Sequence, residues 1–268
     1  MLCIVFLLLF PLLSKGEVSS FTNPNCQQFF LNGNHTTILT DLTNNNRYQQ
    51  ICQCLLDQNL RPQYFYATLY DTVNRIPVYS AYVFQHPCVV RRDRWYIEPQ
   101  LDGGTIPCIN QSTSVPLGQR GQHQALNRDY DGSGYDKGHL YPVSHTNSQL
   151  AMFATSTLTN AAPQDSSFNR NKWMRHEGNL TRILQNCNRA YVVTGVIPGN
   201  QQIGGRVRVA QFYWNAYCCL NPNGNRSNGF IGPDQNGRVE NLQSVRALET
   251  RLRGHYNVPT FTVFPGRC

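Results

Sequence analysis

The chain has 268 residues, 40% of them hydrophobic and 11% aromatic, which is enough for one full core or two small ones and excludes an array of several domains. Lysine and arginine (23) outnumber aspartate and glutamate (15), giving a formal net charge of +8. Such a surplus favours polyanionic partners, although a basic surface that only keeps a protein soluble has the same composition.

Residues 1–16, Met1-Leu2-Cys3-Ile4-Val5-Phe6-Leu7-Leu8-Leu9-Phe10-Pro11-Leu12-Leu13-Ser14-Lys15-Gly16, form an apolar stretch ending in small residues. It is too short to span a bilayer comfortably and reads as a cleaved secretory signal that lacks the usual basic start. No later segment is apolar enough to hold the mature chain in a membrane, so a secreted, extracellular protein is expected. Nine cysteines follow Cys3, namely Cys26, Cys52, Cys54, Cys88, Cys108, Cys187, Cys218, Cys219 and Cys268. They imply an oxidising compartment and disulfide bonds of undetermined connectivity, with one thiol left over or paired between chains. A zinc centre is disfavoured, because Cys52-Gln53-Cys54 and the adjacent Cys218-Cys219 have no second pair at ligand spacing. Four sequons, at Asn34, Asn110, Asn179 and Asn225, would become glycosylation sites after secretion.

Residues 17–60, rich in asparagine, glutamine and cysteine, read as a stapled N-terminal extension, and residues 61–268 as the main domain. The β-rich runs 64–70 and 76–84, separated by Asp71-Thr72-Val73-Asn74-Arg75, predict a hairpin. Residues 98–135 carry frequent Gly, Pro, Ser and Asn and predict a long loop. Further strands are expected at 190–197, 207–220 and 260–264, and a helix over 240–253. The pattern is that of an α+β protein with a mixed or antiparallel sheet and flanking helices.

Chemistry concentrates between these elements. Asp136-Lys137-Gly138-His139 is followed by Asn169 and Glu177, the parts from which a metal-assisted phosphodiester hydrolase can be built. An imidazole activates water near neutral pH, an amide oxygen and a carboxylate organise a hard cation, and a lysine holds a phosphate. Lys137 also disfavours protonation of the nearby imidazole, and a general base must be neutral. Gly138 permits close backbone approach. A calcium loop beginning at Asp129-Tyr130-Asp131-Gly132-Ser133-Gly134 fails at its twelfth position, where Leu140 replaces the bidentate glutamate. Asp136 is assigned a structural role, holding backbone amides at a turn. A helix is predicted from about Asn169 to Gln185. At about 100° per residue it places Asn169, Trp173, Glu177, Leu180 and Leu184 on one stripe. A carboxylate on that stripe needs either a bound cation or a salt bridge, for which Arg182 and Arg206 are the candidates.

These segments resemble the DNA/RNA non-specific endonucleases of the ββα-metal, or His-Me finger, type, which include endonuclease G. The resemblance rests on Asp136-Lys137-Gly138-His139, Leu158-Thr159-Asn160-Ala161-Ala162-Pro163-Gln164, Phe168-Asn169-Arg170 and Trp173-Met174-Arg175-His176-Glu177, in matching order and spacing. The apolar start, Cys26-Gln27-Gln28-Phe29-Phe30 and residues 159–164 are similar to a narrower branch, the secreted endonuclease domain-containing 1 proteins. The resemblance implies a ββα-metal fold and hydrolysis of DNA and RNA. It makes His139 the general base, Asn169 the direct ligand of one Mg²⁺ (or Mn²⁺), and Glu177 the holder of the ion's water shell. Asn160 would fix the finger and orient His139. Lys137, Arg170 and Arg175 would contact substrate phosphates, with Arg206 and Arg208 as further candidates. The family carries arginine where this chain has Lys137, and lysine lacks the two-pronged grip on a phosphate. A second expectation arises from that departure: a secreted polyanion-binding protein that kept the fold and lost turnover.

Overall fold

The computed structural model describes residues 18–36, 46–87, 94–235, 237–265 and 268. The signal-like residues 1–16 and Cys88 lie outside the described residues. A seven-stranded sheet in the order β1-β2-β3-β6-β7-β8-β9 forms the centre, and a two-stranded sheet, β4-β5, sits against it. Its strands are β1 (Tyr48–Leu56), β2 (Pro62–Asp71), β3 (Ile76–Val83), β6 (Arg189–Ile203), β7 (Val207–Leu220), β8 (Arg226–Pro233) and β9 (Glu240–Asn241). Every pairing between named strands is antiparallel.

The β2–β3 hairpin is held by Asp71, whose carboxylate accepts the backbone N–H groups of Val73 and Asn74 at 3.0 Å and the Arg47 guanidinium at 2.6 Å. The β6–β7 hairpin turns through Gly204 and Gly205, both at positive φ, where a side chain would be strained. β1 lies inside the stretch read as an extension and pairs along β2, so this stretch contributes an outer strand to the main sheet.

Side chains alternate across β7 as strand geometry requires. Trp214, Ala216 and Cys218 face one core, and Tyr213, Tyr217 and Cys219 face the other. The alternation explains why adjacent cysteines join different partners, Cys218 with Cys268 and Cys219 with Cys187. Cys26–Cys52 and Cys54–Cys108 complete four bridges. On the Trp214 face lie the N-terminal segment with its short helix α1 (Pro24–Gln27) and helix α5 (Val245–Tyr256), along with Phe261 and Phe264. On the other face lie α2 (Asn127–Tyr130), β4 (Tyr135–His139), α3 (Gln149–Thr155), β5 (Ala161–Asp165) and α4 (Met174–Leu184).

Three expectations are corrected. Residues 260–264 form no strand. Phe261, Val263 and Phe264 pack into the core while side chains serve their backbone: Val263 N–H donates to Glu249 Oε1 at 2.7 Å, and the Thr36 hydroxyl donates to Val263 C=O at 2.9 Å. The C-terminal helix starts at Val245, not 240, because the Ser244 side chain caps it by accepting the Ala247 N–H. The helix expected from Asn169 opens as a wider π-type coil over Phe168–Trp173 before α4 begins.

Candidate active site

Gly138 and His139 end β4, which pairs residue by residue with β5, Gly138 opposite Ala162 and His139 opposite Ala161. A Cβ on Gly138 would collide with the Gln164 side chain and the Tyr213 hydroxyl. Glycine is therefore what lets β4 lie this close to the main sheet. The same Tyr213 hydroxyl donates to Ala162 C=O at 2.9 Å, fastening β5 to β7.

Asn160 lies just before β5 and is fully buried. Its Oδ1 accepts Tyr141 N–H at 3.0 Å and the Ser80 hydroxyl at 2.9 Å, and its Nδ2 donates to Tyr141 C=O and Thr155 C=O. The side chain thus grips the peptide two residues beyond His139. It does not line the cleft that holds His139.

Lys137, His139, Asn169, Arg170 and Glu177 line a single cleft of about 480 Å³. His139 is 9% exposed at its wall, with the Trp95 ring 4.9 Å away. Lys137 Nζ stands 5.4 Å from the Trp95 ring and 5.1 Å from that of Tyr130, within cation–π reach of both. Sequence reasoning missed these two aromatic neighbours, because only adjacent residues announce themselves there. Behind the cleft, His145 donates or accepts at Tyr82, and burial lowers its pKa to about 3, so it stays neutral.

The role of Asp136 is also corrected. Its carboxylate binds side chains instead of backbone amides, accepting Asn169 Nδ2 at 2.9 Å and Arg170 Nε and Nη2 at 2.9 and 2.7 Å. Burial raises the Asp136 pKa, but the bonds from Arg170 and Asn169 outweigh it and hold the group below the usual carboxylate range. A carboxylate only accepts, so the Asn169 atom facing it must be the amide nitrogen. The amide oxygen of Asn169 is thereby kept off that carboxylate. Arg170 keeps N–H groups beyond those given to Asp136 and is 71% exposed at its side chain, so it can still meet a phosphate.

The wide coil before α4 changes the predicted stripe. Trp173, His176, Leu180 and Leu184 are the buried positions, and Glu177 sits beside them, half-buried on the cleft. Neither proposed salt-bridge partner is directed at Glu177: Arg206 Nη1 binds Asp129 at 2.6 Å, and Arg182 binds Asn179. Arg206 also donates to Gln124 C=O and is thereby withdrawn from phosphate contact, while Arg208 donates to Asn200 C=O. Arg175 lines a neighbouring groove, not this cleft.

Among the described residues, no group of three or more His, Cys, Asp or Glu could hold a metal. The cleft instead offers oxygen donors from Asn169 and Glu177. That set fits a hard cation that keeps most of its waters, as Mg²⁺ does, and suits zinc poorly.

A model of the DNA/RNA non-specific endonuclease family matches residues 44–260. The chain belongs to this family. Human endonuclease domain-containing 1 protein is 36% identical over 196 residues, covering 70% of this chain and 39% of that protein. The mouse protein of the same name is 33% identical, covering 85% of this chain and 45% of its own length. The chain thus spans less than half of these relatives. Bovine mitochondrial endonuclease G is 46% identical over 128 residues, covering 43% of this chain and 40% of that protein. Among solved structures, a crystal structure of an EndoG/EndoGI complex aligns over 65% of this chain and 74% of its own, with a TM-score of 0.50 and 22% identity. The fold is the antiparallel α+β fold of endonuclease G.

Proposed function

We propose that this chain is a secreted, Mg²⁺-dependent endonuclease that hydrolyses phosphodiester bonds of both DNA and RNA. The convergence of Lys137, His139, Asn169 and Glu177 on one cleft supports the reading more than any other observation. His139 takes the proton from the attacking water, whose oxygen bonds to phosphorus as the bond to the 3′-oxygen breaks. The products are a 5′-phosphate and a 3′-hydroxyl. Lys137 and Arg170 draw the phosphate against the wall, Lys137 as a point charge and Arg170 with the N–H groups Asp136 leaves unused. Asn169 Oδ1 and the Glu177 carboxylate would hold the ion, Asn169 directly and Glu177 through its waters. When bound, Mg²⁺, or Mn²⁺ in its place, supplies charge stabilisation at the phosphoryl oxygens and an acidic water for the leaving oxygen.

Contacts to the phosphate and the metal, and not to bases or the 2′-hydroxyl, make the site indifferent to the sugar. The apolar residues 1–16, four sequons and four disulfides support a secretory route. Digestion of plasmid DNA and of a structured RNA, with Mg²⁺ and with chelator, tests the proposal. Fragments bearing 5′-phosphates are expected from both substrates with metal and from neither with chelator. Retention of both nucleic acids without fragments in Mg²⁺ would favour the polyanion binder that Lys137 in place of arginine suggests.

A further inference from the structure

Helix α4 separates two clefts. Glu177 and Gly178 line the one that holds His139, and their neighbours His176 and Asn179 line a second groove of about 510 Å³. Three cations stand along that groove, Lys172, Arg175 and Arg238, and no acidic residue lines it. Among the described residues, none of the three side chains has an ion pair or hydrogen bond. The nearby Glu240 carboxylate is taken by Arg251 at 2.7 Å. The groove floor is aromatic, with the His176 and Phe230 rings 4.6 Å apart. Three unpaired positive groups around an aromatic floor are suited to phosphates on the rim and bases below.

Gly178 links the two sites. It lies inside α4 at an ordinary helical φ, and a Cβ there would meet nothing within 4 Å. Neither packing nor backbone conformation requires glycine, which is unfavourable in a helix interior. Its effect is to lower the ridge to bare backbone between Glu177 and Asn179.

Resting on the nuclease reading, we propose that a nucleic-acid strand leaving the His139 cleft crosses α4 at Gly178 and is held in the second groove by Lys172, Arg175 and Arg238. The groove is then an extended binding subsite for the flanking strand, set apart from the reacting phosphate.

Binding of a single-stranded oligodeoxynucleotide in chelator, where cleavage is off, tests this directly. Affinity is measured across a salt series for the parent, for Lys172→Gln with Arg238→Gln, and for Arg61→Gln with Arg253→Gln as a matched charge control. Each is measured as secreted and again with Asn179→Gln, because a glycan at Asn179 would stand in the groove; groove-dependent binding seen only with Asn179→Gln would overturn the proposal for the secreted protein. Losing two phosphate contacts should flatten the slope of log affinity against log salt by about 1.4, at about 0.7 per contact, with the control close to the parent. An unchanged slope, an equal change in the control, no binding by the parent, or loss of heparin binding with DNA binding intact would each overturn it. The outcomes separate the two readings. Groove-dependent binding without Mg²⁺-dependent cleavage removes the catalytic reading alone, and cleavage with an unaltered slope removes the groove alone.

Discussion

A single carboxylate aligns two of the site's side chains. Asp136 draws off the amide nitrogen of Asn169 and two guanidinium nitrogens of Arg170, fixing which face of each looks into the cleft. Groups that orient a metal ligand commonly account for about 10–100-fold in affinity or activity. Asp136→Asn should therefore raise the Mg²⁺ concentration for half-maximal cleavage by about 10-fold or more, leaving the melting temperature close to wild type, since its partner Arg170 is largely exposed. Cleavage titrated with Mg²⁺ checks this, and an unchanged midpoint would contradict an orienting role for Asp136. At this scale the sequence is legible where chemistry is carried by residue type and spacing: Lys137, His139, Asn169 and Glu177 all reach one cleft. It is not legible where a role depends on who stands opposite. Nothing in the chain order says that Asp136 meets Asn169, that Trp95 packs on His139, or that Arg206 is consumed by Asp129.

The helix that carries half the site departs from the α-helical period at its start. The wider coil over Phe168–Trp173 inserts extra backbone before α4 and rotates the helix beyond it. Leu180 and Leu184 stay in the core, His176 joins them, and Glu177 moves onto the cleft. A stripe drawn at a constant 100° per residue cannot anticipate that rotation. The β2–β3 hairpin and the strand runs within β6 and β7 are easier to read, because they depend on a local turn and on β-rich composition. The apolar run at 260–264 has strand composition, but side chains of Glu249 and Thr36 take the backbone groups of Val263, so composition misleads. Gly178 gives this scale its own prediction. Gly178→Ala should stabilise the protein by about 0.5–1 kcal/mol, seen in chemical denaturation, while Gly178→Leu, which raises the ridge, should weaken single-strand binding. Equal binding by glycine and leucine proteins would argue against strand passage over α4.

Across the whole molecule, the central sheet takes the N-terminal segment and α5 on one face and the ββα unit on the other, and Asp234, just past the end of β8, ties the ββα unit to the sheet. Its carboxylate accepts Asp165 N–H at 3.0 Å, where β5 hands over to the coil bearing Asn169. Burial raises the Asp234 pKa from 3.8 to about 7, opposed by that hydrogen bond and reinforced by the Asp165 charge. Between those two values the folded chain holds a proton that the unfolded chain has released, so this group's effect lowers stability as pH rises through the window. The full penalty is present above about pH 7. Asp234→Asn should remove it: the variant's melting temperature should exceed that of wild type at about pH 8 and converge with it at about pH 4. A difference independent of pH would contradict the assignment.

The same architecture makes the decisive experiment clean. His139 closes a two-stranded sheet anchored by Tyr213 and Asn160, so truncating its side chain leaves those anchors in place. The most direct measurement is the initial rate of plasmid cleavage in Mg²⁺ by wild type and His139→Ala, at matched circular dichroism and melting temperature. Loss of the general base should slow cleavage by about 100-fold or more, whereas equal rates from the two folded proteins would contradict the assignment of His139 and the cleft built around it.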